Sequence, residues 1–226
     1  MFTPTDQLLW LLTTVVEGFV AYLFFTQGLL RKFLFFNFYF LLCVVFSIVR
    51  YSTYSYFGTA SAAYYRVHYF SAVLLSVLLF FSIWEVAVHL VGSECSRIRV
   101  TLWSAGALTA TAWYSFSVAA LSDTRGRPFF FELSQNIFFG CCLAMALLWT
   151  WRLRHEPDDR IAARFVTVLS VYFLLFLLVH GTYQLHGIYR SNWRLAAFLY
   201  PTMSAWLPLG CGFALVSPDE RRRKNH

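Results

Sequence analysis

Charged and amide side chains recur at intervals along an otherwise apolar chain, and their positions limit the chemistry open to it. Arg50, Arg66, His68, Glu132, Gln135, Asn136, His180 and Arg194 all lie toward the same end of the apolar runs that contain them. Three arginines against one glutamate suit an anion, because a guanidinium presents a planar fork of donors that matches a carboxylate or phosphate. The set predicts one outward-facing cavity for a small anionic ligand or lipid headgroup. Arg50 and Glu132 are its expected principal members, since Arg50 sits several residues inside its run and Glu132 is the acidic group at that level apart from loop Asp123. Snorkelling of each side chain to headgroups is the structural alternative.

A second group lies along one run. At about 100° per residue, His68, Ser71, Ser82, Glu85 and His89 project into an arc of roughly 100°, a polar stripe that turns this helix toward the interior of a bundle. Glu85 and His89 are spaced i, i+4, within hydrogen-bonding reach on a helix. With Glu17 they form a candidate proton or cation relay, against the alternative of a structural seam of interhelical hydrogen bonds. Only Ser76 interrupts the apolar stretch from Leu74 to Phe81 between the two ends of the stripe.

Other chemistries find less to work with. His68 and His180, at similar depth on different runs, allow a b-type haem as an alternative, and no other cofactor or metal is expected. A retinal Schiff base needs a lysine inside the last run, whereas the lysines are Lys32 and Lys224, both at run edges. There is no His-x-x-x-His or Gly-x-Ser-x-Gly pattern, so no enzyme is expected. Four of the five cysteines, Cys43, Cys141, Cys142 and Cys211, fall inside apolar runs and read as small packing residues, with Cys95 in a short basic loop.

The elements that must carry these groups follow from composition. Of 226 residues, 59% are hydrophobic, 20% aromatic and only 13% charged, with a mean hydropathy of +0.58; soluble domains carry charge on about a quarter of their residues. Seven runs are long enough to cross about 30 Å of hydrocarbon at about 1.5 Å per residue: 7–30, 33–57, 64–91, 98–121, 128–151, 161–185 and 192–216. The expected fold is all-α, a single transmembrane bundle of seven helices over residues 1–226, with neighbouring spans antiparallel across short connectors. Span seven has a small-residue face, Ala197, Ser204, Ala205 and Gly212 with Pro201 and Pro208, which favours close packing.

Direction comes from the basic residues. The side holding Arg31, Lys32, Arg97, Arg99, the Arg152 to Arg164 cluster and the Arg221 to Lys224 tail collects 12 of the 18 Lys and Arg, the other side 6. Positive residues stay inside, so the N-terminus is expected outside and the C-terminus in the cytoplasm. The first run has neither a basic stretch before it nor a cleavage-type site after it, so no cleaved signal peptide is expected. The net charge of +7 is spread in clusters between spans, as membrane anchors are, and predicts no nucleic-acid partner.

The segment Leu30-Arg31-Lys32 leading into Phe33 to Phe40, Arg50 ahead of a tyrosine-rich outer stretch, and Ile83-Trp84-Glu85-Val86 near the inner end of span three together resemble uncharacterised seven-helix integral membrane proteins of bacteria. The resemblance covers most of the chain and implies the topology and nothing more; the expected location is the cell membrane, as a multi-pass protein. The expected role is a small-ligand or lipid-binding sensor or receptor-like bundle that acts through a partner protein. A small transporter or channel built on the polar stripe of span three is the alternative.

Overall fold

The computed structural model describes the backbone of residues 4–58, 61–91, 94–121, 129–155, 159–189 and 193–216, and their side chains except at 4–6, 94–96, 119–121, 131, 180–189 and 193–204. It is all-helical: α1 (Pro4–Thr26), α2 (Leu34–Phe57), α3 (Ala62–Val91), α4 (Glu94–Leu121), α5 (Phe129–Arg154), α6 (Arg160–Tyr189) and α7 (Trp193–Val216). Among the described residues, five helices are long and apolar enough to cross a membrane: Gln7–Thr26, Leu34–Phe57, Ala62–Val91, Glu132–Arg154 and Arg160–Val179. The arrangement is compatible with a multi-pass membrane protein. The large apolar residues that remain exposed, such as Leu12, Phe25, Trp103, Leu147 and Phe213, lie on outer faces suited to lipid.

Seven helices stand where seven spans were expected. In α7 the described side chains, Ala205–Val216, make a shorter apolar helix. In α4 the apolar content is diluted by hydroxyls, yet Thr101, Thr109, Thr111, Ser115 and Ser117 each donate to the carbonyl four residues earlier. That local bond satisfies the hydroxyl without a partner helix. The lower hydropathy of α4 therefore leaves few polar groups unmet.

Sequence neighbours pack against each other, α7 closes back on α1, and α3 touches α2, α4, α5 and α6. That central place agrees with the polar stripe read from its sequence, and Ser71, Ser76, Ser82 and Glu85 of α3 are buried. Span one was expected to run to residue 30 but the helix stops at Thr26. Gly28 has φ of 68°, Leu29 N–H donates to Phe24 O at 3.1 Å and Gly28 N–H to Phe25 O at 3.2 Å. This is the Schellman pattern, and the left-handed residue at its centre favours glycine.

The core near the α1–α2 connection is a block of phenylalanines. Phe24, Phe33, Phe36, Phe40 and Phe165 are at most 1% exposed, with Phe165 stacked on Phe36 at 4.9 Å between centroids and edge-on to Phe33 at 5.1 Å. In lipid, where burial in protein gains little over burial in hydrocarbon, such close contact between large rings is a principal source of helix association.

The α6–α7 seam depends on one small residue. A Cβ on Gly210 would stand 2.7 Å from Val168 Cγ1, and beside it Trp206 Nε1–H donates to the Val168 carbonyl at 3.2 Å. The small face read from the sequence pointed to Gly212, which approaches Val20 of α1; the tightest approach is at Gly210. Gly210→Ala should cost about 1–3 kcal/mol by overpacking, and Val168→Ala in the same chain should return most of it. Thermal unfolding of the single and double variants in one detergent measures both.

Candidate functional site

The polar side chains gather in two places along the α1–α2–α3 layer. Near the end of the bundle that holds the N-terminus, Arg50 of α2 reaches across to α3: its Nε–H donates to Ser71 Oγ at 2.7 Å and an Nη2–H to His68 O at 3.3 Å. Ser71 Oγ in turn donates to Val67 O at 2.6 Å. Arg50 stands seven residues from Phe57 at the end of α2, about 10 Å along the axis. Its side chain is half-buried, and an aromatic collar of Trp10 stacked on Tyr51 and Tyr64 stacked on His68 surrounds that end of the layer.

α1 contributes a carboxylate to the same region. Glu17 lies within electrostatic range of Arg50, and so do Cys43 and His68. Glu17 is nine residues from the end of α1 and Cys43 nine residues from the start of α2, so the two share a level. Tyr39 is hydrogen-bonded to Cys43 and feels both Glu17 and Tyr172 of α6. A polar column thus descends from His68 and Arg50 through Glu17 and Cys43 to Tyr39 and Tyr172. Glu17 Oε2 and His68 Nδ1 are buried in it with no hydrogen-bond partner among the described residues.

Beyond Glu17 the layer is mostly aromatic. Phe24 is seven residues farther along α1 than Glu17, and Phe36 and Phe40 lie on the same far side of Cys43 in α2, with the polar Asn37 and Tyr39 buried among them. The phenylalanine block thus lies between Glu17 and the second polar group.

That second group is a clasp. Glu85 of α3 accepts three backbone N–H bonds from the first turn of α2: Leu34 to Oε1 at 2.7 Å, Phe35 to Oε2 at 3.1 Å and Phe36 to Oε2 at 3.4 Å. The residue before that helix, Phe33, provides no side-chain cap. A carboxylate at a helix N-terminus also meets the positive end of the helix dipole. His89 is bonded through Nε2 to Lys32 O at 2.8 Å, and because a carbonyl only accepts, Nε2 carries the hydrogen. Lys32 Nζ pairs with Asp159 Oδ2 at 2.6 Å, and Asp159 Oδ1 caps α6 through the N–H groups of Ile161 and Ala162. The carbonyls that end α7 are met as well, Leu215 O by Gln27 Nε2 and Ala214 O by Arg164.

Of the residues expected to share an outer cavity, Arg50 and His68 come together with Ser71. Glu17, expected in a relay with Glu85 and His89, lies within electrostatic range of Arg50, and Glu85 and His89 grip the α1–α2 connection at separate points. Glu132 and Gln135 stand on α5, which packs on α3, α4 and α6. Their neighbour Asn136 donates to Ser115 Oγ of α4 at 2.9 Å. Arg66 is exposed near the start of α3. The side chains of His180 and Arg194, and with His180 the haem pairing with His68, lie outside the described residues. Tyr39 and Tyr172 were missed, because tyrosines in an apolar run read as packing unless their depth is compared across helices.

Compared with protein-family models, with curated proteins and with solved structures, the chain finds no match.

Proposed function

We propose that the protein is a receptor-like membrane bundle that binds a small anion or an anionic lipid headgroup at the Arg50 column and acts through a partner protein rather than by catalysis of its own. The observation that carries this reading is Arg50 itself, a cation inside the bundle bonded to Ser71 Oγ and the His68 carbonyl, with Glu17 Oε2 and His68 Nδ1 buried and without a partner among the described residues. Ionisable groups at membrane depth are expensive and mark function by default. The phenylalanine block behind the column favours a binding site entered from one side over a continuous path. The polar stripe of α3, on which a transporter would draw, has Glu85 and His89 occupied in holding the α1–α2 connection.

In this reading all seven helices cross the cell membrane, in the manner of a bacterial inner-membrane protein, with the N-terminus outside and the C-terminus in the cytoplasm. The 12 to 6 division of basic residues supports that direction, and it places the column on the outer side and the clasp on the inner. A reporter fused after His226 should be active only in the cytoplasm; activity outside would reverse the topology. The binding reading is tested by thermal unfolding of the full chain in nanodiscs with oxyanions added. A ligand at about 100 times its Kd should stabilise the wild type by about 2.7 kcal/mol and leave Arg50→Met unshifted, while an equal shift in both would remove Arg50 from the site.

A further inference from the structure

The junction of α5 and α6 gathers positive charge at the end of the bundle that also holds the clasp. Arg152, two residues from the end of α5, reaches across to α6: an Nη1–H donates to Thr167 Oγ1, and the guanidinium lies over the Trp149 ring, 5.4 Å from its centroid. Ring and hydroxyl fix the guanidinium while occupying only part of its fork of N–H donors. Among the described residues no carboxylate pairs with Arg152; Asp159, the acid described at this junction, is taken up by Lys32 and by the start of α6. A cation held between two spans with no acid beside it draws its counter-charge from outside the chain.

The surface next to it suits a lipid. At about 100° per residue, Arg160, Thr167, Leu174 and Leu178 of α6 fall within an arc of roughly 40°. Arg160 is exposed at the start of that stripe, and the exposed Leu174 and Leu178 carry it on into the apolar stretch of the helix. Trp149 and Trp151, near the end of α5, stand where aromatic rings meet the headgroup layer.

We propose that the groove between α5 and α6 binds an anionic phospholipid, with its phosphodiester on Arg152 and Arg160 and an acyl chain along Leu174 and Leu178. The guanidinium fork matches the oxygens of a phosphodiester. The anionic class follows from charge: a choline or ethanolamine headgroup would set a further cation beside two arginines, and a glycerol headgroup sets none. Basic sites between spans recognise anionic headgroups on the same terms. The site shares no residue with the Arg50 column, so neither depends on the other.

Full-length protein in neutral detergent is mixed with equal amounts of phosphatidylglycerol and phosphatidylcholine of the same chains, and the retained lipids are counted by native mass spectrometry. The wild type should prefer phosphatidylglycerol by on the order of tenfold, and Arg152→Gln should reduce that preference about fivefold, the effect of one arginine at a lipid surface. Arg160→Gln leaves the Thr167 and Trp149 contacts in place and should act in the same direction, which keeps the test decisive if Arg152→Gln does not fold. Arg97→Gln removes an exposed arginine of the same end, on α4, and should leave the preference unchanged. Equal retention of the two lipids by the wild type overturns the proposal. So does a preference untouched in both groove variants, or a loss in Arg97→Gln as large as theirs, which would mean general surface charge. Glycerophosphoglycerol, the same headgroup without chains, should not be retained; retention equal to that of the lipid would reassign the site to a soluble phosphodiester.

Discussion

Glu85→Ala should cost the folded bundle about 3 kcal/mol. The carboxylate accepts the N–H groups of Leu34, Phe35 and Phe36, and no local side chain can replace it, since Phe33 occupies the cap position. Each donor left without a partner in a buried setting costs about 1–3 kcal/mol. Water reaching this end of the bundle recovers part of the total, which brings the sum to the lower figure. Glu85→Gln keeps one carbonyl oxygen as an acceptor and should lose about half as much. Equilibrium unfolding in a single detergent checks both. A relay role alone would leave the alanine variant within about 0.5 kcal/mol of the wild type.

The reason this contact was not legible, while the helices were, lies in the range of each signal. Apolar runs and charged connectors are local, so the seven helices fall close to the runs read from the sequence, and α1 ends early only because Gly28 takes a left-handed conformation. Interhelical partners depend on how each helix is rotated and paired, which one sequence specifies only through the completed packing. A clue was nevertheless present. The stretch Leu30 to Phe33 contains no Ser, Thr, Asp or Asn, so the start of α2 needed an acceptor from elsewhere, and Glu85 is the acidic residue near that end of α3. By contrast the cap of α6 by Asp159 follows the ordinary preference for an acidic residue just before a helix.

Arg50 shows the same limit. Its depth was plain from counting along α2, whereas its bonds to Ser71 Oγ and the His68 carbonyl depend on how α2 and α3 pack. Glu17 on α1 shares the level of Cys43, which lies on the same face of α2 as Arg50 but two turns away.

Arg50→Met and Glu17→Gln should therefore be coupled. Glu17 acts on Arg50 through space, so each single change should cost less than the about 3–5 kcal/mol typical of a contacting buried pair. Arg50→Met also removes the donors to Ser71 Oγ and the His68 carbonyl and should cost about 1–3 kcal/mol. The double variant should be less destabilised than the sum of the singles by about 1–3 kcal/mol. Glu132→Gln combined with Arg50→Met is the comparison, expected to add within about 0.5 kcal/mol. Unfolding midpoints of these variants in one detergent decide it. Strong coupling to Glu132 and none to Glu17 would reassign the pair.

The most direct measurement of the account asks from which side the column is reached. His68→Cys, with the native cysteines replaced by alanine, is treated with a membrane-impermeant thiol reagent in right-side-out and in inverted vesicles. A column entered from the N-terminal side and sealed behind by Phe24, Phe36, Phe40 and Phe165 predicts labelling in right-side-out vesicles only, slowed by dimethyl phosphate. Labelling in inverted vesicles, or a rate indifferent to the anion, would contradict a ligand site at Arg50 that opens outward.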